Sequence, residues 1–112
     1  MGRRVIWAYA AEADLDAAAE YIHRDSPVYA AALVFRALEA GRSLTDFAER
    51  GRIVPEFKDE KIREIFVQSY RLIYLAENKR VSIVALIHGR RDFRTAWDER
   101  DRGLAPHENW NY

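Results

Sequence analysis

Ile62-Arg63-Glu64-Ile65-Phe66-Val67 and Tyr70-Arg71-Leu72-Ile73-Tyr74-Leu75-Ala76 are two runs of alternating side chains divided only by Gln68-Ser69. β-Branched and aromatic residues at period two, joined by so short a connection, predict an antiparallel hairpin. A third run, Val81 to Ile87, follows a turn around Glu77-Asn78-Lys79, so the predicted unit is a three-stranded antiparallel meander.

Upstream of the meander the composition is different: 13 of the 17 alanines fall within the first 48 residues. From Ala11 to about His23, Leu15, Ala18, Ala19 and Ile22 recur at spacings of three and four, which predicts an amphipathic helix with Glu12, Asp14, Asp16 and Glu20 on its other positions. Ser26-Pro27 then supplies an N-cap followed by proline at the first helical position. The helix it starts carries Ala30, Leu33, Val34, Ala37, Leu38, Leu44 and Phe47 as its apolar stripe. Two helices with a tight connection form an αα-hairpin. Gly41 marks either a close helix contact or a break, and Gly51 is read as the C-cap.

Val5, Trp7 and Tyr9 alternate with Ile6 and Ala8, so the chain is expected to open with a short strand that joins the later sheet. Residues 51–61 read as a connecting loop in which Pro55 argues against an internal strand. Phe93 to Arg102 reads as a short helix, followed by a tail over residues 103–112. The predicted fold class is α+β: one domain over residues 1–112, with the helical hairpin on one face of a small, mainly antiparallel sheet and the other face open to a ligand or partner.

Bulk composition narrows the function. A chain of 112 residues, 49% hydrophobic and 32% charged, holds one compact core. Eighteen basic against eighteen acidic residues give no net charge, which disfavours general coating of nucleic acid, yet residues 63–94 hold seven basic groups against three acidic ones. With no cysteine there is no disulfide framework, thiolate metal site or cysteine nucleophile. The three histidines, His23, His88 and His107, lack metal-ligand spacing, and no cofactor motif is present, so neither metal nor cofactor is expected. No apolar run approaches the roughly 18 residues of a membrane span, and residues 1–7 lack an apolar leader, so a cytoplasmic protein without membrane contact is expected.

Arg71 stands inside an apolar strand. A guanidinium there needs an anion: either a local carboxylate such as Glu64 or Glu56, or an external phosphate that it binds. His88-Gly89-Arg90-Arg91-Asp92 follows the last strand, where a glycine turn presents two guanidiniums and an imidazole, or a solvated loop with a structural histidine. Metal-free RNA cleavage needs a base, a cation for the pentacoordinate phosphate and an acid, roles that Glu56, Arg71 and Arg91 or His88 could divide. Trp97, Trp110 and Tyr112 either stack on a base or partner or pack a satellite cluster.

The ordered set of Trp7 and Ala10, Ala13-Asp14-Leu15, Tyr21-Ile22, Ser26-Pro27, Gly51-Arg52, Val54-Pro55-Glu56, Arg63-Glu64, Tyr70 to Tyr74 and His88 to Asp92 resembles the RelE/ParE superfamily of type II toxin-antitoxin toxins. The resemblance spans roughly Val5 to Phe93 and implies a small toxin neutralised by an antitoxin, whose gene is normally adjacent. In RelE-like members, which cleave mRNA in the ribosomal A site, two lysines precede the strand arginine. Here those places hold Ile62 and Glu64, and Trp97 stands where they carry a tyrosine. A related Glu, Arg and His route lacks its His-Tyr ending. Arg63-Glu64 with Tyr-Arg-Leu-Ile-Tyr looks more like the ParE branch, which inhibits DNA gyrase and blocks replication without being an enzyme. The resemblance therefore implies Arg63, His88, Arg90, Trp97 and Trp110 as target or partner contacts. In the alternative, a ribosome-dependent mRNA endoribonuclease, it implies Arg71, Arg91 and Glu56 as the catalytic set. A third possibility is an attenuated member that only binds antitoxin.

Overall fold

In a computed structural model, which describes residues 2–103, the elements run β1 (Arg4–Trp7), α1 (Tyr9–His23), α2 (Pro27–Ser43), β2 (Arg52–Ile53), β3 (Ile62–Val67), β4 (Tyr70–Ala76), β5 (Arg80–His88) and α3 (Phe93–Gly103). The five strands form one sheet in the order β1-β5-β4-β3-β2. The opening strand lies beside the last, parallel to it, with Arg4 opposite Arg80 and Trp7 opposite Ile83. All other pairings are antiparallel.

The first helix begins at Tyr9, a residue expected in the opening strand and two before the expected Ala11, with no side-chain cap at Ala8, whereas the second starts where the chain chemistry places it. The Ser26 hydroxyl accepts a hydrogen bond from the Tyr29 N–H at 3.2 Å, satisfying one orphan donor of the α2 N-terminus, and Pro27 fills the first turn. Leu15 and Ala18 of α1 and Leu33 and Ala37 of α2 then bury against Leu72, Tyr74, Val81 and Ile83 of the sheet. Gly41 marks a close contact and no break: a Cβ there would lie 3.1 Å from Ile83 Cδ1 and 3.2 Å from the Trp7 indole nitrogen.

Val84 is an extra residue in β5, since Ile73 faces Ala85 whereas Tyr74 faces Ile83. Because side chains alternate at period two, this bulge reverses their phase: Val81 and Ile83 point to the helices before it, and Leu86 does so after it.

Three further expectations are corrected. The segment read wholly as a loop contains the short edge strand β2, which pairs Arg52 with Glu64 and Ile53 with Arg63 before Pro55 ends it. The second helix stops at Ser43, so Gly51 is not its C-cap. Gly51 instead donates its N–H to the Tyr74 hydroxyl at 3.0 Å. Nor is the second face of the sheet open. Phe93, Ala96 and Trp97 of α3, with Phe57 from the loop, pack on Ile73, Val84, Ala85 and Ile87 to form a second apolar cluster. The predicted tail from residue 104 onward lies outside the described residues.

Candidate functional site

Arg71 lies on β4, on the sheet face that α3 covers and against Phe93 of the second cluster. Its Nε donates to Glu64 Oε1 at 2.5 Å, while Nη1 and Nη2 donate to Glu56 Oε2 and Oε1 at 3.2 and 2.8 Å. The other oxygen of Glu64 accepts from Arg52 Nε at 2.5 Å. Phe93 closes one side, its ring centroid 4.3 Å from the Arg71 guanidinium carbon. Of the two destinations open to Arg71 in the sequence, the local carboxylates hold it, and both do so at once.

The sheet register explains why. Glu64 pairs with Ile73 on the neighbouring strand, placing its carboxylate on the same face as Arg71. Glu56 reaches the cluster from the loop after β2, whose position is secured by Arg94 donating to the Glu56 carbonyl at 2.5 Å. The Glu64 side chain is fully buried and that of Arg71 nearly so. Burial disfavours the Arg71 charge, but the hydrogen bonds and charges of Glu56 and Glu64 more than offset it and its pKa is raised. The same hydrogen bond from Arg71 holds Glu56 below the ordinary carboxylate value, which makes it a weaker proton acceptor. Two guanidiniums and two carboxylates leave the cluster without net charge.

The remaining predicted residues are dispersed. Arg91 lies at the surface, paired with Glu99 at 2.7 Å, and is not joined to Arg71. Arg63 donates to the carbonyls of Glu60 at 3.0 Å and Gly51 at 2.9 Å, clamping the loop on either side of β2. His88 Nδ1 accepts from the Arg90 N–H at 3.0 Å, and its ring meets Tyr70 edge-on, so the structural reading of the histidine describes its contacts. Arg90 is exposed. Trp97 is 8% exposed and packs against Phe57 and Phe93, a position that corrects its assignment as a surface contact. Trp110 lies outside the described residues.

One ion pair was not anticipated. Asp14, read as part of the polar side of α1, accepts from the Leu86 N–H and from Arg100 Nε, both at 2.9 Å, and Arg100 also donates to the Val84 carbonyl. Burial raises the Asp14 pKa, with the Arg100 charge opposing it. Beside this pair, between α1 and α3, lies a groove of about 330 Å³ lined by Tyr21, Tyr70, His88, Arg91 and Arg100 among others. The signal was weak but present: Asp14, Ala17, Ala18 and Tyr21 share one side of α1 by helical spacing.

Residues 5–93 match the family model described as ParE toxin of type II toxin-antitoxin system, parDE. The chain belongs to the ParE toxin family. This ParE-family chain is 34% identical over 89 residues to Toxin RelE2 of Caulobacter vibrioides, a match covering 79% of the chain and 97% of that relative. Among solved structures it resembles a chain of the chromosomal ParDE TA system from P. aeruginosa, with a TM-score of 0.63 and 21% identity over 77% of this chain and 95% of that one. The second likeness is one of fold. The match spans the sheet from the second residue of β1, includes both helices of the hairpin and ends at the first residue of α3.

Proposed function

We propose that this toxin acts by binding DNA gyrase in the cytoplasm, blocking replication without catalysing a reaction, and that a cognate antitoxin neutralises it. The observation that carries this reading is the closure of Arg71. A phosphate entering there would have to displace the Glu56 and Glu64 carboxylates from a buried guanidinium, and Glu64 would repel it. Arg91 stands apart, so the three groups of a ribonuclease do not converge. An antitoxin partner is supported by the family description and by α2, which leaves Val28, Phe35 and Leu38 exposed along one side, the kind of face that a partner helix covers.

A supercoiling assay tests the gyrase reading. Purified toxin in excess is expected to inhibit gyrase, and unchanged supercoiling would remove the proposal. Induction in cells should stop DNA synthesis before translation.

A ribosome-dependent mRNA endoribonuclease is the second reading, favoured by the RelE name of the Caulobacter relative and by the meeting of Glu56 with Arg71. It requires discrete cleavages in translated messages and an early stop in protein synthesis.

A further inference from the structure

At one rim of the sheet β1, β3 and β5 begin and β4 ends. The register sets Arg4 directly opposite Arg80, and Lys79 stands one residue earlier, at the turn. Val5 and Val81, the next pair, join the cluster under the helices, so strand alternation turns both arginines to the opposite face. Lys61, Lys79 and Arg80 line a shallow depression of about 510 Å³, together with one carboxylate, Glu77. Arg3 donates from Nε to the Asn78 carbonyl at 3.2 Å, which fixes the start of β1 to the β4–β5 turn.

Most of this charge is not spent inside the molecule. Among the described residues the side chains of Arg4, Lys61 and Lys79 make no hydrogen bond or ion pair, and Arg80 meets Glu77 at 3.4 Å in a partly exposed pair. Asp59 accepts from the Lys61 N–H at 2.9 Å, and Glu60 is exposed. Arg3, Arg4, Lys61, Lys79 and Arg80 therefore outnumber the three carboxylates of the rim, although the chain as a whole is neutral. Like charges set opposite one another on adjacent strands cost stability. A cation on β1 keeps an edge strand from pairing with other chains, but Lys79 and Arg80 open β5, which has a neighbour on each side, so edge protection does not account for them. Beyond Arg3 the next depression, lined also by Asp46, Glu49 and Arg50, is balanced and bounds the surface.

From β1 to β3 the rim crosses three strand spacings, about 14 Å. Along that length each strand of a DNA duplex carries about four phosphates. We propose that this rim binds the phosphate backbone of duplex DNA without regard to sequence, with Arg4, Lys61, Lys79 and Arg80 each meeting a phosphate. The choice of duplex DNA over other polyanions rests on the gyrase reading above, since a toxin seated on gyrase has that enzyme's DNA beside it.

The test is fluorescence anisotropy of a labelled duplex of about 20 base pairs, titrated with purified toxin between roughly 50 and 200 mM salt. A single-stranded RNA of equal length and the supercoiling assay are run beside it. Four phosphate contacts predict an affinity that falls on the order of 100-fold over that range. Lys61→Glu/Lys79→Glu, at two exposed positions, should weaken binding about tenfold or more at the lower salt and make the slope of log K against log salt shallower by about 2. Arg24→Glu/Arg36→Glu makes the same change of charge at exposed positions of the helical hairpin and should leave most of the affinity in place. Equal melting temperatures serve as the folding control. No binding by the wild type at low salt, equal losses in the two double variants, or tighter binding of the RNA overturns the proposal. Inhibited supercoiling without duplex binding overturns it and leaves the gyrase reading intact. Duplex binding that depends on Lys61 and Lys79, without inhibition, upholds the DNA contact and overturns the gyrase reading alone.

Discussion

Glu64 and Arg71 hold each other at 2.5 Å across adjacent strands, and each is also claimed by a second partner, Arg52 and Glu56 respectively. The four groups form a linear chain from solvent at Arg52, through the buried centre, to the half-buried Glu56. Removing an interior member leaves a charge in a place where water cannot replace the lost partner.

Arg71→Ala is therefore expected to destabilise the toxin by about 3–5 kcal/mol, the cost of a broken buried pair, as read by urea unfolding. Arg71→Lys should recover only part of that loss, since one ammonium cannot serve both carboxylates in the planar fork that Glu56 and Glu64 occupy. Loss of toxicity in Arg71→Ala is informative only beside its unfolding curve. If both variants were as stable as the wild type, the network would be a surface ornament.

Acid should weaken the network at Glu56. Its folded pKa is lowered, so the stability contributed by its ionised form is complete above the ordinary value of 4.5 and is lost as pH falls through the lowered folded value. Asp14 contributes with the opposite sign: its folded pKa is raised, so its share is greatest below the ordinary 3.8 and declines as pH rises through the folded value. Thermal melts from pH 6 downward should thus fall less steeply in Glu56→Gln than in the wild type. Parallel curves would contradict the direction of the shift.

Two buried glycines, Gly41 inside α2 and Gly51 just before β2, should respond differently to alanine. At Gly51 the new Cβ would fall 2.5 Å from the Tyr74 hydroxyl and 2.6 Å from the Glu64 carbonyl, and the latter is backbone. Gly51→Ala should cost about 1–3 kcal/mol, as overpacking usually does. At Gly41 the contacts are 3.1 Å and longer, to side chains, and alanine regains helix propensity of up to about 1 kcal/mol. Gly41→Ala should fall well above Gly51→Ala in melting temperature.

Ser82 is fully buried on β5, and its hydroxyl finds no partner among the described residues. Ser82→Ala removes an unsatisfied polar group at the loss of one small atom, so a gain of up to about 1 kcal/mol is expected in denaturant melts. A loss of stability would mean that the hydroxyl is bonded after all.

Ser26-Pro27, the alternation of Tyr70 to Ala76 and the opening strand were legible because each signal is local: a cap, a period and a fixed backbone angle. β2 was not, since two residues display no period and Pro55, close behind them, argues against a strand. The covering of the second sheet face was missed for a different reason. Phe93, Ala96 and Trp97 make an apolar side only three residues wide on an otherwise charged helix, and only Phe57, from another segment, completes it. At the site, Arg71 and its two candidate carboxylates could be named because a charge in an apolar strand demands an anion. Asp14 and Arg100 could not be paired, being 86 residues apart and joined only by the bend that brings α3 back over β5.

The parallel seating of β1 against β5 has a temporal meaning. During synthesis the helical hairpin leaves the ribosome early, but the strand before it has nothing to pair with until residues 80–83 emerge. The sheet, and with it the burial of the hairpin, is completed only when the last strand arrives, a closure of long sequence separation and correspondingly slow. A nascent toxin stalled before that point carries its hairpin without a complete sheet, a species vulnerable to proteases and unable to present either face of the finished molecule.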